Sequence, residues 1–287
     1  MTKACYVGVA GKARKVKKIY TGVANKARKV KKAYVGVGGK ARLFYSADQK
    51  LGYYGTVTGL SRARGYLAAT TVGNYGLFGG GNDSSTVDAY STSLVRSTPT
   101  ALSQAKSALA ATTVGSYALF GGGTRSSPYS TVDAYTMSLV RSTPTALSQA
   151  RSTLAATTVG SYALFGGGYS NDGVSTVDAY STSLVRSTPT ALSQARSDLA
   201  ATTVGSYALF GGGVLDIFSG SPYSTVDAYS TSLVRSTPTA LSQARGYLAA
   251  TTVGSYALFG GGAYKVAFVN FDSEVYATAV VDVYNLI

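Results

Sequence analysis

The chain has 287 residues, room for one large all-β domain or two average domains. It carries 23 tyrosines and 34 glycines, a single cysteine, and neither histidine nor tryptophan. That inventory excludes a Ser/His/Asp triad, an imidazole metal ligand, a structural zinc site and any intrachain disulfide. Charge divides the chain: the first 50 residues hold 14 of the 26 lysines and arginines but one of the 12 acids, Asp48, and the other 237 residues are almost neutral.

Taken in order, the N-terminus "MTKACYVGVAGKARK" lacks a continuous apolar stretch of the kind a secretory signal needs. No apolar run reaches the roughly 18 residues of a membrane span. The expectation is a protein made in a cytoplasm that leaves it by lysis or within a particle. A 14-residue repeat then runs through residues 3–45, with Tyr6, Tyr20 and Tyr34 in register. "YVGV" alternates, and "AGK", "ANK" and "GGK" are turn-forming, so each copy predicts strand–turn–strand. Such units cannot bury a face alone. Residues 1–50 are therefore expected to be a stem or docking segment. Nucleic acid is a weaker fit, because no helix-turn-helix, zinc or RNA-recognition pattern accompanies the charge.

A larger repeat follows over residues 52–287. "Y(A/G)LFGGG" recurs with its tyrosine at Tyr75, Tyr117, Tyr162, Tyr207 and Tyr256, and "VD(A/V)Y" places Asp88, Asp133, Asp178, Asp227 and Asp282. Each unit predicts four strands: "LAATTVG", "YALFGG", "STVDAYS" and "LVRSTPTAL". Small residues in the first suit crowding at an axis. Pro99, Pro144, Pro189 and Pro238 place the fourth at the outer edge. The stretch 53–68 aligns with 95–110, an outer strand with no partner before it. Residues 53–60 are therefore expected to supply the outer strand of the fifth unit and close a ring.

Four-stranded units at this period are β-propeller blades. The paired glycines (Gly79–Gly80, Gly121–Gly122, Gly166–Gly167, Gly211–Gly212, Gly260–Gly261) and the tyrosines Tyr90, Tyr135, Tyr180, Tyr229 and Tyr284 resemble kelch repeats. The kelch tryptophan is missing, its place taken by residues such as Leu94 and Val95. The resemblance implies a five-bladed, kelch-like, all-β propeller. The copper chemistry of the galactose-oxidase-like kelch enzymes needs histidine ligands that this chain lacks. The basic repeat "YVGVGGKARLF", with its two earlier copies, resembles segments of tail-fibre and adhesin-like proteins of bacteriophages that infect Gram-positive bacteria. That resemblance implies a virion location, docking to other tail proteins through the N-terminal segment, and a homo-oligomer, with a trimer the first guess.

Differences between the units fall in two places. The insert between the second and third strands runs "NDS", "TRSSPY", "YSNDGV", "VLDIFSGSPY" and "AYKVAFVNFDSEVYAT". The connection from each outer strand to the next unit varies mainly at Tyr66, Ala108, Thr153, Asp198 and Tyr247. Both belong to one face of a propeller, and the turns of the other face repeat almost unchanged. Rigid aromatics and adaptable polar groups on loops over a fixed scaffold suit recognition. The candidate contacts are Tyr66, Asp83, Arg125, Tyr129, Tyr169, Asn171, Asp172, Asp198, Asp216, Phe218, Tyr223, Tyr247, Tyr264, Phe268, Phe271, Asp272 and Tyr276. No catalytic residue, metal ligand or cofactor is expected. The expected function is binding of a cell-surface glycan or protein receptor. The alternatives are a scaffold component of a particle and a carbohydrate-active enzyme using loop carboxylates.

Overall fold

A computed structural model describes residues 6–9, 12–15, 20–23, 26–29, 32–37, 40–46, 55–215, 221–269 and 272–286, with side chains over 55–215, 221–264 and 276–286. All regular structure among them is β, and the chain divides into two compact units, Met1–Thr56 and Val57–Ile287.

In the first unit each copy of the basic repeat forms an antiparallel hairpin: Tyr6–Val9 with Lys12–Lys15, Tyr20–Val23 with Lys26–Lys29, and Lys32–Val37 with Lys40–Ser46. Tyr6 and Tyr20 face Lys15 and Lys29 across the first two ladders. The alternation of small and β-branched residues about a two-residue turn produces that pairing.

The second unit contains five successive sheets. The first four have four strands each in sequence order, and the fifth has three: Ala249–Val253, Tyr256–Gly260 and Val281–Asn285. The outer strands are shorter than the sequence suggests, only two residues each, such as Arg96–Ser97. The prolines lie just beyond them: having no N–H to donate, they end the pairing instead of riding within it. The expected closing strand also differs. Residues 53–54 lie outside the described residues, and 55–60 carry no strand. The segment runs along the first sheet, where Tyr90 Oη donates to the Thr58 carbonyl and Arg96 to that of Gly59. It does for the first sheet what residues 100–106 do for the second.

Four apolar cores lie between consecutive sheets, each built from both neighbours. The inner strands meet through threonines: Thr70–Thr113, Thr112–Thr158, Thr157–Thr203 and Thr202–Thr252, all at 2.8 Å between hydroxyl oxygens. In the first four sheets, phenylalanine from the next sheet lies over the glycine closing the second strand. A Cβ on Gly79, Gly121, Gly166 or Gly211 would come within 2.7–2.8 Å of the ring of Phe120, Phe165, Phe210 or Phe259. Glycine at those positions is a packing requirement. Every sheet also holds a T-shaped Phe–Tyr pair with centroids 5.8–6.0 Å apart.

Beneath these cores each repeat aspartate is ion-paired, and Asp88, Asp133, Asp178 and Asp227 are fully buried. Asp178 takes Arg151 from the incoming connection at 2.8 Å and Arg186 from its own outer strand at 2.9 Å, and the Ser148 amide and hydroxyl donate to it as well. Asp227 is held in the same way by Arg196, Arg235 and Ser193. The second sheet uses Lys106 in place of arginine. Burial pulls its ammonium below the usual amine range, against the opposing pull of Asp133, 3.4 Å away. The outer-strand arginines Arg96, Arg141, Arg186 and Arg235 each pair with the aspartate of their own sheet. The arginine of "SQAR", the more deeply buried partner, went unnoticed in the sequence although it recurs at fixed spacing.

Two inner edges stand uncovered. Val204 of the fourth sheet is 3% exposed, and its counterpart Val253 of the fifth is 59% exposed. Among the described residues no phenylalanine lies over Gly260, and a Cβ there would meet only Val281, at 3.5 Å. At the opposite end, Thr71 and the half-buried Phe78 face no further sheet among the described residues.

Candidate ligand-binding face

The two variable segments come together because they are hydrogen-bonded to one another. The last four connections pair with the insert of their own sheet, Ser107 with Thr124, Ser152 with Tyr169, Ser197 with Val214 and Gly246 with Ala263, and in the first the Gly65 amide donates to the Asn82 side chain. The third glycine of the "GGG" run, two residues beyond the second strand, makes this approach possible. Gly123, Gly168 and Gly213 have φ of 102–115°, and a Cβ on any of them would strike the connection within 3 Å.

The five varying positions of the connections are also joined directly. The Ala108 amide donates to the Tyr66 carbonyl, Thr153 to Ala108, Asp198 to Thr153 and Tyr247 to Asp198, at 2.9–3.0 Å. All five have left-handed backbone, with φ between 47° and 56°. Non-glycine residues rarely adopt that conformation, and a β-branched one such as Thr153 hardly ever does. Tyr66 and Tyr247, at the two ends of this arc, are 80% and 49% exposed. Asp198 is half-buried and receives the Ser197 hydroxyl at 2.8 Å; burial raises its carboxyl above the usual range, against that hydrogen bond. Burial and the charge of Asp198 raise the Tyr247 phenol.

The other expected contacts divide. Asp83 accepts the Ser107 hydroxyl, Asp172 accepts the Gly173 amide, and Arg125 and Asn171 are exposed at loop tips. Tyr169 is half-buried beside Asn171. Tyr129 and Tyr223 are half-buried. Their amides donate to Gly123 and Gly213, at the position that buried Val174 occupies in the third sheet. They anchor the feet of their loops. The long insert 263–278 is no loop: Ala263–Val269 and Asp272–Ala277 form a hairpin, placing Phe268 and Asp272 on its two strands. On that hairpin the Tyr264 and Tyr276 rings lie 6.1 Å apart, tilted by 54°. Asp216, Phe218 and Phe271 lie outside the described residues.

A cleft of about 350 Å³ opens between the inserts of the second and third sheets, walled by Thr124, residues 126–128, Ser152, Thr153, Tyr169 and Asn171. Its lining is uncharged. Tyr169 and Asn171 are among the expected contacts and Thr153 among the varying positions of the connections; Ser152 carries no such signal and becomes part of the wall only when the connection folds against the insert. No group of three or more histidine, cysteine, aspartate or glutamate residues is placed to hold a metal among the described residues. Among the described residues no helix is long and apolar enough to cross a membrane.

No protein-family model matches the chain, and no curated protein matches it in sequence. Solved structures do match in fold. One is the structure of YjhT, with a TM-score of 0.60, 11% sequence identity and 88% coverage of both chains. At that identity the likeness concerns architecture alone: the repeated antiparallel sheets form a β-propeller-like fold, and the sheets are its blades.

Proposed function

We propose that the unit 57–287 is a recognition module that binds a receptor on a bacterial surface through its variable face, as part of a phage tail fibre. The observation that carries this reading is the pairing of each variable insert with a variable connection, which gathers the differences among five nearly identical blades onto one face. Exposed tyrosines beside adaptable polar groups on a rigid framework favour binding over catalysis. The basic hairpins of residues 6–46 serve in this reading as the docking segment toward other particle proteins. The test is to incubate the labelled full chain with purified cell walls from a panel of Gram-positive bacteria. Selective retention by some walls, lost when the 263–278 insert is replaced by a short turn, is the expected result. Equal retention by all walls, or none, overturns the reading.

The ring is part of the same proposal: five blades, with the first and fifth edges meeting. In its support, the two uncovered edges are the two halves of a junction that occurs four times within the chain. The fifth blade offers the vacant Gly260–Gly261 seat, and the first offers Phe78 and Leu67 in the places of Phe120 and Leu109. Thr71→Cys with Thr251→Cys, in a Cys5→Ser background, repeats the spacing of the internal threonine pairs. An intramolecular disulfide on a non-reducing gel is expected; intermolecular cross-links or none would refute closure.

A further inference from the structure

The cleft between the second and third blades differs from its neighbours in a way that concerns hydrogen bonding. At the first junction the connection serine, Ser107, is satisfied by Asp83: its hydroxyl donates to the carboxylate at 3.0 Å and accepts the Asp83 amide at 2.9 Å. At the third, Ser197 donates to Asp198 at 2.8 Å. Ser152, at the equivalent position of the second junction, has no side-chain partner among the described residues, and neither have the hydroxyls of Thr124, Ser126 and Tyr169 or the amide of Asn171. Thr153 Oγ1 is both buried and unpartnered. A buried hydroxyl without a partner is costly, and so is a β-branched residue held at φ 47°. Both costs fall on one residue in the wall of one cleft.

We infer that this cleft is a subsite for a neutral saccharide unit. The proposal rests on the recognition reading above and names its ligand class. A ring of hydroxyls and an amide, each able to donate and accept, matches a polyhydroxylated ligand. The absence of charge in the lining gives an anionic sugar no counter-ion. Tyr169 supplies an apolar platform for the C–H face of a sugar ring. The cleft falls within the range of about 300–1,000 Å³ found for small-ligand sites.

Saturation-transfer NMR and calorimetry on the full chain test this, with glucose, galactose, mannose, N-acetylglucosamine and their disaccharides as probes and N-acetylneuraminic acid as the anionic control. At least one neutral sugar binds and the control does not. Asn171→Ala and Tyr169→Ala each weaken that binding about tenfold, the effect of losing one good contact. Thr153→Gly is the decisive variant. It relieves the backbone strain and removes the orphan hydroxyl, so the thermal midpoint rises while sugar affinity falls. A purely structural Thr153 would give the first change without the second. Failure of every neutral sugar, or preference for the anionic one, overturns the subsite. If wild-type cell-wall retention persists in that case, the recognition reading survives it. Sugar binding with cell-wall retention indifferent to Tyr169→Ala would uphold the subsite and count against the recognition reading.

Discussion

Gly211 and Gly260 end the same strand, Tyr-Ala-Leu-Phe-Gly, in neighbouring blades. A side chain at the first would press within 2.7 Å of the Phe259 ring; at the second it would touch only Val281, at 3.5 Å. The sequence is identical, and the surroundings are those of a filled junction and a vacant one. The contrast shows that glycine here serves the neighbour's phenylalanine and not the strand that carries it, so each blade is shaped for a contact it cannot make alone. A propeller of this kind is a sum of interfaces, and its ends reveal what each interface contributes.

The largest test of that view removes the buried charge pairing on which a filled junction rests. Arg196→Ala deprives Asp227 of a contact at 2.6 Å and the Phe210 and Thr225 carbonyls of their donor. Chemical denaturation should record a loss of about 3–5 kcal/mol, the cost of leaving one buried charge short of its partner. Next comes the glycine pair. Gly211→Ala should cost about 1–3 kcal/mol through overpacking. Gly260→Ala should cost the same if the first blade closes the ring; a silent Gly260→Ala would mean that the edge stays bare. The smallest effect lies on the variable face and depends on pH. Burial raises the Asp198 carboxyl, so the folded chain holds that proton more tightly than the unfolded chain. The stability this contributes is complete below the ordinary carboxylate range and is lost as pH rises through the raised value. Asp198→Asn should therefore be the more stable protein at neutral pH, and the two melting curves should converge in acid.

Much of this architecture was legible in the sequence because it is written five times. Repetition exposed the strands, the glycine doublets and the faces on which differences gather. What repetition could not disclose is contact between unlike segments. Lys106, Arg151, Arg196 and Arg245 read as solvated charges of a connection until that connection lies across the next blade's aspartate. The prolines read as members of an outer strand, and they prove to be its limit. The 263–278 insert reads as a long loop because its apolar residues follow no repeat, and it folds on itself as a hairpin. Within the candidate site, Tyr66, Tyr169 and Tyr247 could be picked out by type. Ser152 could not, since a small polar residue in a turn signifies nothing until a wall forms around it.

The amide ladder from residue 66 to residue 247 has a final consequence. Tyrosine, alanine, threonine and aspartate all sit on it with one backbone geometry, so the same hydrogen-bonded path accommodates each of them, at a cost in stability that differs from one to the next. The side chains of this face can thereby change while the backbone path beneath them stays the same. Such a surface can be rewritten one residue at a time without rebuilding the strands that carry it.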